Sequence, residues 1–106
     1  MITGVMYWDQ LRLEVGGHAQ YAEMGKDIVC AGASMLTDAL SGVLQDAEAR
    51  GRTTVQRKET EKGIMIQADP SMGALNEIKA YFRMCVKGLK MLHEQYPNHV
   101  GGIKEV

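Results

Sequence analysis

Between Ile28 and Ala49 the chain reads IVCAGASMLTDALSGVLQDAEA, and the reading of this stretch decides the fold. Ala33, Leu36, Leu40, Val43, Leu44 and Ala47 recur at steps of three and four, which predicts a helix from near Ile28 to about Ala49 with one apolar face. Gly32 and Gly42 weaken the helix locally. Burying each large side chain of the face is nevertheless worth about 1.5–3 kcal/mol before chain entropy is subtracted. Asp27 stands just ahead of the helix. An N-cap carboxylate there accepts the unpaired backbone N–H groups of the first turn and suits the positive end of the helix dipole.

Towards the N-terminus, Ile2 to Val15 suggests two strands with a tight connection around Asp9-Gln10. In the second, Leu11, Leu13 and Val15 alternate with Arg12 and Glu14, the period of a strand with one buried face. Gly16-Gly17 ends it, and His18 to Ile28 has no sustained period, so it reads as a loop. Towards the C-terminus, Arg52–Glu59 and Ile64–Ala68 predict a second hairpin, joined at Thr60-Glu61-Lys62-Gly63. Asp69-Pro70-Ser71 breaks the strand and offers caps for a second helix, whose face is Leu75, Ile78, Phe82, Val86, Leu89 and Leu92 and whose end is set by Pro97. The expectation is an α+β, two-layer ββαββα domain over residues 1–106, with two helices packed on one face of a small antiparallel or mixed sheet.

The 106 residues leave room for one domain. Twelve Lys and Arg against thirteen Asp and Glu give a net charge of −1, so no overall field draws in nucleic acid or an anionic membrane. No unbroken run approaches the ~18 apolar residues of a membrane span, and the N-terminus lacks the pattern of a secretory signal. A cytoplasmic location is expected. The alternating charges of Arg57-Lys58-Glu59-Thr60-Glu61-Lys62 read as a solvated hairpin edge, and the eight methionines as adaptable core filler.

Chemistry centres on two cysteines, too few for a disulfide scaffold and without zinc-site spacing. Cys30 falls in the first turn of the first helix, where unpaired N–H groups and the helix dipole favour a thiolate. His18 lies twelve positions earlier on a glycine-bounded loop able to fold back. If they meet, His18 takes the thiol proton and later protonates a leaving amine. Backbone N–H groups of Cys30 and the residues after it would face the oxyanion, and the small side chains of Ala31, Gly32 and Ala33 would admit a peptide backbone. The plainer reading, a cysteine packed at the start of an amphipathic helix, stays open on these features alone. Cys85, mid-helix between Phe82 and Leu89, reads as packing. His93 and His99 suit the C-terminal end of the second helix and are expected at the surface. A metal site drawing on His18, Cys30 and either of them matches no common ligand spacing.

The segment GHAQYAEMGKDIVCAGAS, Gly17 to Ser34, resembles the signature of the ribosomal-processing cysteine proteases called Prp. That signature is a G-H-A segment, a glycine-containing loop, then D-I-V-C-A with a serine four residues past the cysteine. The similarity extends through most of the chain, to Gly88-Leu89-Lys90 and Tyr96-Pro97. The resemblance implies Cys30 as nucleophile, His18 as general base and acid, Gly17 as a pivot of the loop, and Asp27 and Ser34 as residues that support or line the site. It implies no cofactor, no metal, no direct contact with nucleic acid or membrane, and a homodimer. The implied substrate is a protein with an apolar and aromatic N-terminal leader, from the large ribosomal subunit or, for phage-encoded relatives, from a capsid or scaffold. The glycines of the loop suggest that it opens in the free enzyme and closes over an extended peptide. The rival expectation is a dimeric, non-catalytic module that binds ribosomal or capsid proteins.

Overall fold

The computed structural model describes residues 1–23 and 25–106; Met24, part of the loop and of the quoted signature, lies outside them. The order is β1 (Ile2–Tyr7), β2 (Arg12–Gly16), α1 (Ile28–Ala49), β3 (Thr53–Thr60), β4 (Gly63–Pro70), α2 (Leu75–Gln95) and β5 (Val100–Glu105). Both helices and both hairpins stand where periodicity puts them. The addition is β5, which makes the chain ββαββαβ. Its Gly101-Gly102 pair carries little strand propensity, and the strand exists because β1 offers it a free edge on the parallel side.

The sheet runs β3-β4-β2-β1-β5, antiparallel except for the β1–β5 pair. Register places the buried residues of neighbouring strands in rows: Met6 faces Leu13, which faces Ile66. Those side chains, with Ile2, Val15, Ala68 and Val100, form the helix-facing layer. Onto it α1 buries Val29, Ala33, Leu40, Leu44 and Ala47, and α2 buries Ile78, Phe82, Cys85, Val86 and Leu89. The helices run antiparallel: Gly32 lies against Leu92 and Gly88 against Leu36. Leu11 belongs to the β1–β2 turn rather than to β2. It is buried with a left-handed φ of 45°, a strained conformation for a residue with a Cβ, held by the side chain's place in the core.

Several expectations are corrected. Val43 and Leu75 are exposed, and Thr37 and Ser41 occupy buried positions on α1 instead. Ser41 accepts from Arg57 at 2.8 Å, and Thr37 turns its hydroxyl back onto the carbonyls of Ala33 and Ser34, so a polar atom is tolerated at each. The Asp69-Pro70-Ser71 segment does not cap α2: Pro70 ends β4, the N-cap is Ala74 without a side-chain bond, and the Ser71 hydroxyl donates to the Gly51 carbonyl. Met1, Met35, Met72, Met84 and Met91 are exposed, and among the described residues Met6 is the methionine fully in the core. By length and composition α1 could cross a membrane, with a mean hydropathy of 1.3 over its most apolar window. Its small residues raise that mean without forming an apolar run, and here it lies along the sheet.

Candidate active site

Asp27 organises the start of α1. It takes an extended backbone, and its Oδ1 accepts from the N–H groups of Val29 at 3.0 Å and Cys30 at 2.9 Å, as an N-cap should. Its other oxygen accepts from Tyr21 N–H at 3.0 Å and Ala22 N–H at 3.4 Å. One carboxylate therefore joins the helix to the loop before it. The Cys30 N–H lowers the Asp27 carboxyl below its ordinary value, helped by the two loop amides and the Cys30 thiol and opposed by desolvation.

Cys30 is half-buried at the head of α1, and its Sγ accepts from the Ala19 N–H at 3.3 Å. His18, the residue before Ala19, is exposed and stands with Cys30 on the wall of one cleft of about 280 Å³. The two side chains share the cleft without sharing a hydrogen bond in this arrangement. Ser34, one helical turn beyond Cys30, and Gly17 line it as well. Gly17 has φ +86°, and a Cβ there would collide with the Met1 carbonyl oxygen, so the loop leaves β2 along a path open only to glycine. Ala31 is exposed and lies off the cleft, because one step along a helix turns a side chain by about 100°.

The backbone donors of the first turn differ from expectation. Cys30 N–H is taken by Asp27 Oδ1 and Ala31 N–H by the Asp27 carbonyl at 3.0 Å, so neither points at an oxyanion position here. An effective N-cap satisfies the same orphan groups that an oxyanion hole would use.

Other residues enter the cleft unannounced. Arg57 and Glu59 pair with Ile66 and Ile64 across β3–β4, which puts their side chains on the helix-facing side. Arg57 bonds Ser41 Oγ at 2.8 Å, Asp38 at 3.2 Å and Glu59 at 3.3 Å. The run from Arg57 to Lys62 is at the sheet edge as expected, yet all of it except Lys58 lines the cleft as a polar wall opposite α1. Alternation counted from Ile64 across the turn carries that signal. The floor is apolar, from Ile2, Val15, Ala33 and Ile64.

The C-terminal histidines are half-buried rather than at the surface. His93 Nδ1 is 2.7 Å from the Val100 carbonyl, and His99 Nδ1 is 2.9 Å from the Ala19 carbonyl, each the donor because a carbonyl only accepts. Cys85 is packed as expected: burial pushes its thiol up to about 12, and its S–H donates to the Leu36 carbonyl at 3.5 Å.

A cysteine at a capped helix start and a histidine on the loop leading to it are now placed in one cleft. The sequence profile of the cysteine protease Prp family matches residues 1–101. The chain belongs to the Prp family of cysteine proteases. Among solved structures it is similar to an essential ribosomal processing protease Prp from Staphylococcus aureus, with 22% identity, 99% of this chain and 97% of that one covered, and a TM-score of 0.73. That structure holds a covalently linked product peptide. A second S. aureus Prp structure, with a substrate peptide, gives 21% identity, 100% and 98% coverage, and a TM-score of 0.64. A Streptococcus mutans protein matches at 26% identity over 99% of this chain and 93% of its own, with a TM-score of 0.68. No curated protein sequence matches. The Prp fold is thus present over essentially the whole chain, as an α+β protein with a five-stranded mixed sheet.

Proposed function

We propose that this Prp-family protease is an endopeptidase that removes a short apolar and aromatic leader from the N-terminus of a ribosomal large-subunit protein or a phage capsid or scaffold protein. Cys30 is its nucleophile and His18 its base and acid. The observation that carries the reading is that Cys30 and His18 open onto one cleft with an apolar floor. The S. aureus protease supports it, since a ribosomal processing enzyme of this fold accommodates a substrate peptide and a covalently linked product.

In the proposed reaction His18 takes the proton from Cys30, and the sulfur bonds to the scissile carbonyl carbon. The C–N bond breaks as His18 passes the proton to the leaving amine, and a thioester remains. A water gives a proton to His18 and adds to the thioester carbon, the C–S bond breaks, and the proton returns to sulfur. Both groups already line the cleft, and rotation of the His18 side chain is proposed to bring the imidazole to the sulfur while Ala19 stays in place. Asp27 holds the helix start, and Ser34 lines the path of the peptide.

The test is cleavage of a leader peptide and of candidate ribosomal and capsid proteins, read by mass spectrometry of the new N-termini. Cys30→Ala and His18→Ala are each expected to lower the rate by at least about a thousandfold while far-UV circular dichroism is unchanged. Either variant cleaving at the wild-type rate overturns the dyad. The protein is further proposed to work in the cytoplasm as a homodimer through the outer sheet face, where Val5, Tyr7 and Met65 are half-buried around the Arg12–Glu14 ion pair. A monomeric mass by light scattering at working concentration would overturn that assembly.

A further inference from the structure

Ala19 is fixed on three sides. Its methyl is buried, its N–H points at Cys30 Sγ, and its carbonyl accepts from His99, 80 positions further along the chain. The next residue, Gln20, has φ +54°, a left-handed backbone that is uphill for a side chain with a Cβ. A reversal of that kind persists where contacts from outside the loop hold it. Two such contacts come from the same C-terminal segment: the His99 hydrogen bond, and the Tyr21 ring set edge-on to His99 at 5.2 Å and to Tyr96 at 5.4 Å. His99 is itself held, its N–H on the Tyr96 carbonyl and its own carbonyl on the Ile2 N–H, both at 2.9 Å.

We propose that His99 is a positioning residue of the active site, which latches the loop so that the Ala19 N–H sits on the Cys30 sulfur and His18 hangs over the cleft. Without the latch the Ala19 amide leaves the sulfur, a donor that favours the thiolate is lost, and the imidazole is presented from a wandering backbone. His99 touches neither substrate nor sulfur; it acts through Ala19. The inference rests on Cys30 and His18 as the reacting pair, and its first readout requires no substrate, so the two can fail separately.

Three variants of the full chain are compared with wild type: His99→Leu, which removes the donor; His99→Asn, whose side-chain amide can replace the Nδ1–H; and His93→Leu. His93 makes a similar bond, but to the Val100 carbonyl at the start of β5 rather than to the loop, so it controls for loosening of β5. The rate of Cys30 alkylation by iodoacetamide is followed from about pH 6 to 9, and hydrogen exchange of the Ala19 amide alongside. His99→Leu is expected to move the alkylation profile to higher pH, to slow it about three- to tenfold near neutrality, and to speed Ala19 exchange by a similar factor, the loss of one net hydrogen bond. Leader cleavage should fall in kcat rather than rise in KM. His99→Asn should recover most of each effect, and His93→Leu should alkylate as wild type. Wild-type alkylation and exchange in folded His99→Leu would overturn the latch. So would an equal loss in His93→Leu, or His99→Asn behaving as His99→Leu with the same thermal stability. Cleavage surviving in Cys30→Ala would instead overturn the proteolytic assignment of Cys30 and leave the alkylation result standing.

Discussion

A single carboxylate does two jobs at the head of α1, and substitutions separate them. Asp27→Ala removes an acceptor from the helix start and from the loop, and should lower the urea-unfolding midpoint, as the loss of a helix cap does. Asp27→Asn keeps one acceptor for Val29 and Cys30 but turns a donor towards the Tyr21 and Ala22 amides, so it should spare the helix and release the loop. Hydrogen exchange at residues 21 and 22 checks this. Since the folded-state carboxyl lies below its ordinary 3.8, its contribution to stability is complete above that value and is lost as pH falls through the depressed one. The two thiols differ as sharply. Cys85 stays protonated and packed, so native protein should take one equivalent of iodoacetamide, at Cys30, and denatured protein two, counted by intact mass.

At the scale of elements, the two helices start by different means. α1 has its cap written in the sequence, whereas α2 begins at a buried Ala74 without one. A clasp on its first turn ties it to the α1–β3 connection: Glu77 accepts from Arg50 at 2.8 Å, Arg52 at 3.0 Å and the Tyr81 hydroxyl at 2.6 Å. The Tyr81 hydroxyl, followed by the two arginines, pulls the Glu77 carboxyl from 4.5 down to about 2. Its stabilising effect is therefore complete above about pH 4.5 and disappears as pH falls towards about 2. Thermal melts across that window should show Glu77→Gln losing less stability on acidification than wild type. Where β2 meets the loop, Gly17→Ala adds both a left-handed φ and a clash with the Met1 carbonyl, and should cost more than about 1 kcal/mol in urea unfolding.

The whole molecule is one two-layer core, and Phe82 is its largest fully buried side chain. Phe82→Ala should remove about 3–5 kcal/mol from a total of roughly 5–15, enough to leave the domain marginal at room temperature by urea titration. Hydrophobic period made both helices, the two hairpins and the placing of Leu13, Val15, Ile78 and Phe82 in the core legible without coordinates, because burial of one face repeats at 3.6 or 2 residues wherever it occurs. Asp27 as a cap was legible for the same reason: it depends on neighbours three residues away. Cys30 and His18 could be proposed from local chemistry and from the Gly17–Ser34 signature. Distant pairings were closed to such reasoning. Strand β5 exists only against β1, and His99 reaches Ala19 only once the C-terminus folds back past the loop. The amino-acid order by itself determined which segments must bury a face and which side chains could do chemistry. The tertiary structure alone decided what those side chains meet, because contacts between residues far apart in the chain follow from packing and register, which no local pattern encodes.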